Sequence, residues 1–299
     1  MSPRRHRTGN PLATRRINLF YVPAVVLFLA FTVYPLVSGV TLSLTNWNGF
    51  GAARDFVGAA NYERLFFDEV FHTSLLNTFV YGFGSTIIQQ IVGLALALAL
   101  DRAMRGRNIA RAIIYLPVLV SPIVMGTMYF LFFSFNFGAL NDLVIVAGGE
   151  RVSWLSDSAA AVFIIVLVNS AQFVGISMVI YLAGLQSIPI ELFEAARIDG
   201  ADAWQQFWSI TVPLLQPAFA TSIVLNLIGG LKLFDVIEVL TGGGPGYSTG
   251  SVSTLISRTY FNNQAAGYAS AMGLVLFLVI AVFTLVLNTL LNRKRLEAQ

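Results

Sequence analysis

Cysteine is absent from the 299 residues, which excludes disulfides, thiolate metal sites and cysteine nucleophiles. Histidine is nearly absent. His6 and His72 stand far apart, so no metal site and no Ser-His-Asp arrangement can be assembled from them. Charge is scarce as well: Asp, Glu, Lys and Arg together make only 11% of the chain. Clustered catalytic carboxylates are lacking, and so is a phosphate-cradling loop. Gly242, Gly243 and Gly244 are followed by Pro245, not by the Lys-Ser/Thr and helix start that such a loop requires. The chain is therefore expected to carry no catalytic residue, no metal and no cofactor of its own, and to bind no nucleic acid. The stretches between apolar runs reach only about thirty residues, too short for a separate soluble domain.

What is present is lipid-soluble sequence. The chain is 56% hydrophobic, with a mean hydropathy of +0.74. A helix crosses a bilayer core of about 30 Å with roughly 20 apolar residues, and six stretches meet that test, near 18–44, 75–100, 112–134, 158–184, 214–236 and 268–292. The runs lack the two-residue polar alternation of a membrane barrel. The expected fold is thus an all-α membrane protein of six transmembrane helices. A basic tail (1–17), a membrane domain (18–292) and a short tail (293–299) make up the chain. The first apolar run is too long for a signal peptide and lacks a small-residue cleavage site, so it is expected to stay uncleaved.

Basic residues in the loops set the orientation. Arg4, Arg5, Arg7, Arg15, Arg16, Arg102, Arg105, Arg107, Arg111, Arg197, Arg293, Lys294 and Arg295 fall on one side of a six-span chain. Only Arg54, Arg64, Arg151 and Arg258 fall in the loops opposite. Thirteen against four places both termini in the cytoplasm. His6 and His72 then lie on opposite sides of the membrane. The first external loop is expected to hold an amphipathic surface helix around 60–73. The glycines and proline of "LTGGGPGYSTGS" break the chain before the last helix.

The loop between the fourth and fifth spans, residues 185–213, faces the cytoplasm in this scheme yet is acidic. Glu191, Glu194, Asp199 and Asp202 fall within twelve residues. Pro189 can open a helix, and Glu191 in its first turn complements the helix dipole. Leu192, Ala195 and Ala196 make a partly flat apolar face, Asp199-Gly200 signals a turn, and Asp202 can cap a second helix. Trp204, Phe207, Trp208 and Thr211 form a stripe along that helix, and Trp204, Phe207 and Trp208 are expected to tie it to the bundle. Pro213 and Pro217 start the fifth span. Small, acidic and aromatic residues together suit a knob that fits a groove on a partner protein.

Those residues carry a resemblance. Glu194-Ala195-Ala196, three residues, Gly200, nine residues, Ile210, one residue, then Val212-Pro213 resembles the EAA motif of the membrane subunits of binding-protein-dependent ABC importers. Val212 stands where that motif usually has Leu. The run "IPIELFEAARIDGADAWQQFWSITVPLLQP" resembles the carbohydrate-importer branch. So do "YPL" (34–36), "SLTNW" (43–47), "FVGAANYERL" (56–65) and "LTGGGP" (240–245), in the same order over nearly the whole chain. The resemblance implies a bacterial plasma-membrane permease subunit of a sugar ABC importer. It would be paired with a second, different permease subunit, two ATPase subunits that bind ATP and Mg, and an extracytoplasmic sugar-binding protein. Glu194, Ala195, Ala196, Asp199 and Gly200 would form the coupling surface on the ATPase. A permease for another solute, such as an amino acid or a phosphate ester, and an ATPase-independent secondary transporter remain the alternatives.

A sugar path needs hydrogen-bonding groups and aromatic faces inside the membrane. The fourth span offers Asn169, Gln172, Phe173 and Ser177, with Ser170 beside them. The fifth offers Asn226, Lys232, Phe234 and Asp235, and Lys232 and Asp235 are spaced to pair along a helix. Gly229-Gly230 would let that helix bend or a neighbour approach. Gln89 and Gln90 lie in the second span. Each Asn, Gln or Ser could equally bond helix to helix and hold the bundle together.

Overall fold

Apolar runs fold as helices in this chain because hydrocarbon offers no partner to a backbone N–H or C=O, so each segment must satisfy its own. The computed structural model describes residues 21–102 and 104–296, and every regular element among them is helical. The basic tail 1–17 with His6, residues 18–20 of the first expected span, and 297–299 lie outside the described residues. So do the side chains of Arg293, Lys294 and Arg295.

In chain order, α1 (Tyr21–Ser43) leads through an irregular loop to α2 (Ala60–Phe66) and the long α3 (Glu69–Asp101). Then follow α4 (Arg107–Leu119), α5 (Pro122–Phe133), α6 (Ala139–Val146) and the long α7 (Ser158–Gln186). The acidic segment supplies α8 (Ile190–Ile198) and α9 (Ala203–Leu214). The chain ends with α10 (Gln216–Leu231), α11 (Asp235–Leu240), α12 (Val252–Phe261) and α13 (Ala266–Leu296). Four of these, α1, α3, α7 and α13, are each long and apolar enough to cross a membrane. The other two expected spans are broken. Between α4 and α5 the chain turns through 98°, and between α9 and α10 through 62°. The turns fall at Ser121-Pro122 and at Leu215, just ahead of Pro217, where proline leaves the preceding turn without a donor. The fifth run also ends early, at Leu231, and does not continue to 236.

The expected surface helix at 60–73 is divided in the same way. Asp68 accepts the N–H groups of Val70 and Phe71 at 2.9 and 3.1 Å. It thereby caps a new helix, and α3 starts at Glu69, several residues before the expected span. The other carboxylate oxygen of Asp68 accepts the Tyr268 hydroxyl at 2.6 Å, while the Arg64 guanidinium lies 4.2 Å from the Tyr268 ring. These contacts hold the first loop to the start of α13.

Burial identifies the centre. Over the most apolar stretch of each helix, 56% of residues are buried in α7 and 33% in α3, against 6% in α13 and none in α1. α7 is therefore the axis, with α3 and α10 packed on it, and α1 and α13 lie at the outside. One core cluster joins Tyr81, Ile164, Ile165 and Val168 to Leu233, Val236 and Ile237; another joins Ala97, Met178, Tyr181 and Leu182. Without a hydrophobic force between helices in lipid, close backbone approach and polar bonds do the joining. A Cβ on Gly230 would stand 2.8 Å from Gly82 Cα, and one on Gly93 would stand 2.5 Å from Ser177 Cβ. Ser170 bonds back to the Ser85 carbonyl, and Tyr181 bonds to Gln90.

At the end of the bundle where α7 begins, single side chains pin the loops. Asn141 donates to the Ser134, Phe135 and Val152 carbonyls and accepts from Val152 N and Trp154 Nε1. The glycine-rich break at 241–250 does occur, and α3 straps it down. Asn77 donates to Ser248 O and Gly250 O, and Tyr81 donates to Thr249 O at 2.7 Å.

Candidate functional site

α10 stops at Leu231 because the chain turns there to meet α11. Lys232 is the C-cap, its N–H still bonded to Ile228 and Gly229, and Phe234 at φ −132° is no longer helical. Asp235 opens α11. The lysine thus sits at the negative end of one helix dipole and the aspartate at the positive end of the next, each charge favoured where it stands. The two were expected to pair along a helix, but no helix joins them. Among the described residues only Arg151 and Asp142 form an ion pair.

A cavity of about 210 Å³ opens at this break. Its wall includes Asn169 and Phe173 from α7, Asn226 from α10, and Lys232, Phe234 and Asp235 from the break. Gln89 of α3 and Pro122 of α5 complete its polar and broken sides. The start of α5, just past the break at Ser121, and the end of α10 therefore meet at one hollow, while the break at Leu215 lies away from its lining. Irregular backbone at membrane depth is tolerated only where protein buries it or where it lines a cavity. The cavity gives the start of α5 and the turn after α10 a place.

Six of the eight pathway residues named from sequence come together here. Gln172 and Ser177 do not. Gln172 is fully buried and donates to the Val120 carbonyl at 3.2 Å, bracing α7 to the end of α4. Ser177 accepts from Asn226 Nδ2 at 2.7 Å and from Ser222 Oγ at 3.1 Å, where Gly93 leaves it room. Both are the helix-to-helix bonds that the sequence had left as the other possibility. Gly230 admits the neighbouring α3, whereas Gly229 has nothing within 4 Å of an added Cβ. The sequence reading noted Gln89 without placing it in the site. The break at Val120-Ser121 went unread, although Pro117 and Pro122 were its signal.

Beyond the other end of α7, three residues lead into α8, which buries none of its side chains. Glu194 and Ala195 are exposed, and Ala196 is half-buried. Ile198 is 87% exposed. The helix closes on a paired motif: Ala201 N–H reaches back to Ala196 O at 2.8 Å and Gly200 N–H to Arg197 O at 3.1 Å. Gly200 takes φ +81°, which that closure requires. Asp202 then caps α9 through a reciprocal pair with Gln205, at 2.7 and 2.9 Å. Two helices are joined back to back with almost no slack between their caps.

The aromatic stripe behaves differently from expectation. Trp204 and Trp208 are 68% and 52% exposed, and the rings of Trp204, Phe207 and Trp208 pack chiefly on one another. The anchors to the bundle are instead Thr211 and Leu215, both buried. The stripe was legible; the side it serves was not.

Comparison with known proteins gives a consistent set. The pattern of the family described as the binding-protein-dependent transport system inner membrane component matches residues 89–296. The chain is 35% identical over 268 residues to the trehalose/maltose transport system permease protein of Thermococcus litoralis, covering 90% of each. It is 34% identical over 275 residues to the multiple sugar-binding transport system permease protein of Streptococcus mutans, covering 92% of this chain and 94% of that one. Among solved structures, a chain of a bacterial ABC transporter involved in the import of the acidic polysaccharide alginate superposes with a TM-score of 0.82. It is 26% identical, over 94% of this chain and 97% of that one.

Proposed function

The chain belongs to the family of binding-protein-dependent transport system inner membrane components, and we propose that it is the permease subunit of a sugar ABC importer. In this reading six crossings, two of them broken, span the bacterial plasma membrane with both termini in the cytoplasm. An extracytoplasmic binding protein delivers a mono- or oligosaccharide to the bundle. Asn169, Phe173, Asn226, Lys232, Phe234 and Asp235 line its path, and Gln172 and Ser177 hold that path's walls in register. A second permease subunit completes the conduit. Two ATPase subunits, holding ATP and Mg, dock on α8 through Glu194, Ala195, Ala196, Asp199 and Gly200. No covalent chemistry is assigned to this chain.

The observation that carries the reading is the cavity at the meeting of two broken helices, walled by carboxamides and aromatic rings. Carboxamides exchange hydrogen bonds with hydroxyl groups, and rings cover the apolar faces of a sugar. The second support is mechanical. α8 continues α7 after three residues, and its closed C-terminal turn into α9 stiffens it as a lever on the helix that forms one wall of the cavity.

The test is reconstitution. Copurification from native membranes supplies the partner subunits and the binding protein, and a sugar that raises the binding protein's melting temperature identifies the cargo. ATP-dependent uptake of that sugar into proteoliposomes, lost when the ATPase is left out, is the expected result. Uptake that runs on an ion gradient without the ATPase overturns it.

A further inference from the structure

We propose that Gln89 of α3 is a selective hydrogen-bond acceptor for a sugar hydroxyl, in a cavity whose side chains suit an uncharged sugar better than an acidic one. This rests on the sugar-importer reading and deepens it. Gln89 is 1% exposed and lines the cavity. Its Nε2 donates to the backbone carbonyl of Asn169 at 3.2 Å. That carbonyl can only accept, so it fixes which end of the carboxamide is which. The Oε1 end is buried and receives no donor among the described residues. A buried acceptor left without a donor is destabilising, and a ligand hydroxyl that reaches it as the cavity wall adjusts would remove that cost.

The neighbouring groups have the same polarity. Asn226 spends its amide hydrogens on Ser177 Oγ at 2.7 Å and Ser222 O at 2.9 Å, which leaves its carbonyl oxygen over. Asp235 is an acceptor when ionised, and Asn169 can act either way. Against these, Lys232 is the one side chain on the wall that can only donate. Hydroxyl groups supply what such a wall lacks. A uronic acid or a phosphate ester would bring more acceptors to it, and a charge that Lys232 alone would balance while Asp235 opposes it.

The test uses the reconstituted importer with its binding protein and ATPases. The probes are maltose, trehalose and lactose, with an alginate trisaccharide as the acidic comparison. Wild-type protein is expected to take up at least one neutral probe in preference to the acidic one. Each monodeoxy form of that sugar is then assayed. One deoxy position is expected to raise the uptake KM about tenfold, the loss of one buried hydrogen bond. In Gln89→Met the parent sugar should show the same tenfold rise, and the deoxy penalty at that position should vanish. A structural role for Gln89 would lower assembly yield and leave the deoxy pattern intact. Should Gln89→Met fail to assemble, Gln89→Glu decides. Protonated, its carboxyl donates to Asn169 O and accepts the sugar hydroxyl; ionised, it accepts only and as a charged group, so the deoxy penalty should persist at low pH and grow at high pH. A deoxy penalty unchanged in active Gln89→Met, or insensitive to pH in Gln89→Glu, overturns the Gln89 assignment alone. Preferred uptake of the alginate trisaccharide overturns the uncharged-sugar preference while sugar import stands. Absence of ATP-driven uptake of every probe in wild-type protein overturns the reading on which both rest.

Discussion

Gly229 and Gly230 are adjacent in sequence and opposite in consequence. An added Cβ at Gly230 meets the backbone of Gly82 at 2.8 Å, and backbone cannot step aside as a side-chain tip can. At Gly229 the same atom meets nothing within 4 Å. Gly230→Leu should therefore push α10 off α3 and cost about 1–3 kcal/mol by overpacking, read as a fall in melting temperature of the detergent-purified protein and loss of uptake. Gly229→Ala should be neutral or stabilising by up to about 1 kcal/mol, since alanine is the better helix former. Equal damage from both would mean that the two helices do not approach at this point. The contrast was only half readable from the sequence. A Gly-Gly pair announces close approach or bending, but which glycine faces the neighbour depends on where α3 crosses.

At the scale of elements, the break between α10 and α11 decides the role of Lys232. A lysine at a helix C-terminus contributes about 0.3–1 kcal/mol to stability through the dipole. A hydrogen bond from its ammonium to a ligand is worth about 1.5–3 kcal/mol. The second term is the larger, so Lys232→Ala should raise the uptake KM at least tenfold while assembly yield stays within error. Unchanged KM would return the residue to a purely capping role. The turn between α8 and α9 makes a second element-scale prediction. Gly200 at φ +81° closes α8, and a β-branched residue there costs about 1–2 kcal/mol in the left-handed region. Gly200→Val should weaken ATPase copurification and uncouple ATP hydrolysis from uptake, with the binding of sugar to the importer unchanged. Normal uptake by that variant would argue against a rigid turn as the transmitting part. These elements show where sequence reading succeeds. The cap at Asp202, the turn at Gly200 and the existence of the apolar runs are local, set by residues within four positions of one another. The breaks at Val120-Ser121 and at Lys232–Phe234 are only partly local: Pro122 marks the first, but a proline can also merely kink a helix that goes on. Each run is apolar enough to continue, and it stops because a distant element is there to receive the freed backbone: the Gln172 amide for Val120 O, and the Ser251 hydroxyl, at 2.7 Å, for Leu233 O. Six of the eight residues named from sequence nevertheless line one cavity, four of them polar side chains in or beside an apolar run, where they are costly wherever they point.

For the molecule as a whole, the acidic α8 sits on the side that basic loops assign to the cytoplasm, and the bilayer would separate it from the loop at 134–157 and the turn after α12. α7 alone connects α8 to the first of these, so the two must stand at opposite ends of one membrane-length helix. The absence of cysteine makes the arrangement directly measurable, since any introduced thiol is the only one in the chain. Asp199, Glu150 and Asn263 are all exposed and outside the long helices, so replacement there disturbs little packing. In intact cells, a membrane-impermeant maleimide should label Glu150→Cys and Asn263→Cys and leave Asp199→Cys unlabelled. After permeabilisation all three should react. Asp199→Cys should then become protected when the ATPase is present at saturating amount, because the acids of α8 are proposed to lie in that contact. Two outcomes separate two claims. Labelling of Asp199→Cys in intact cells would invert the topology and remove α8 from any ATP-driven coupling. Protection absent after permeabilisation would keep the topology and place the ATPase elsewhere. A like result at Glu150 and Asn263 matters as much. If only one of them reacts from outside, one bent pair turns back without crossing, and the crossing count falls below six.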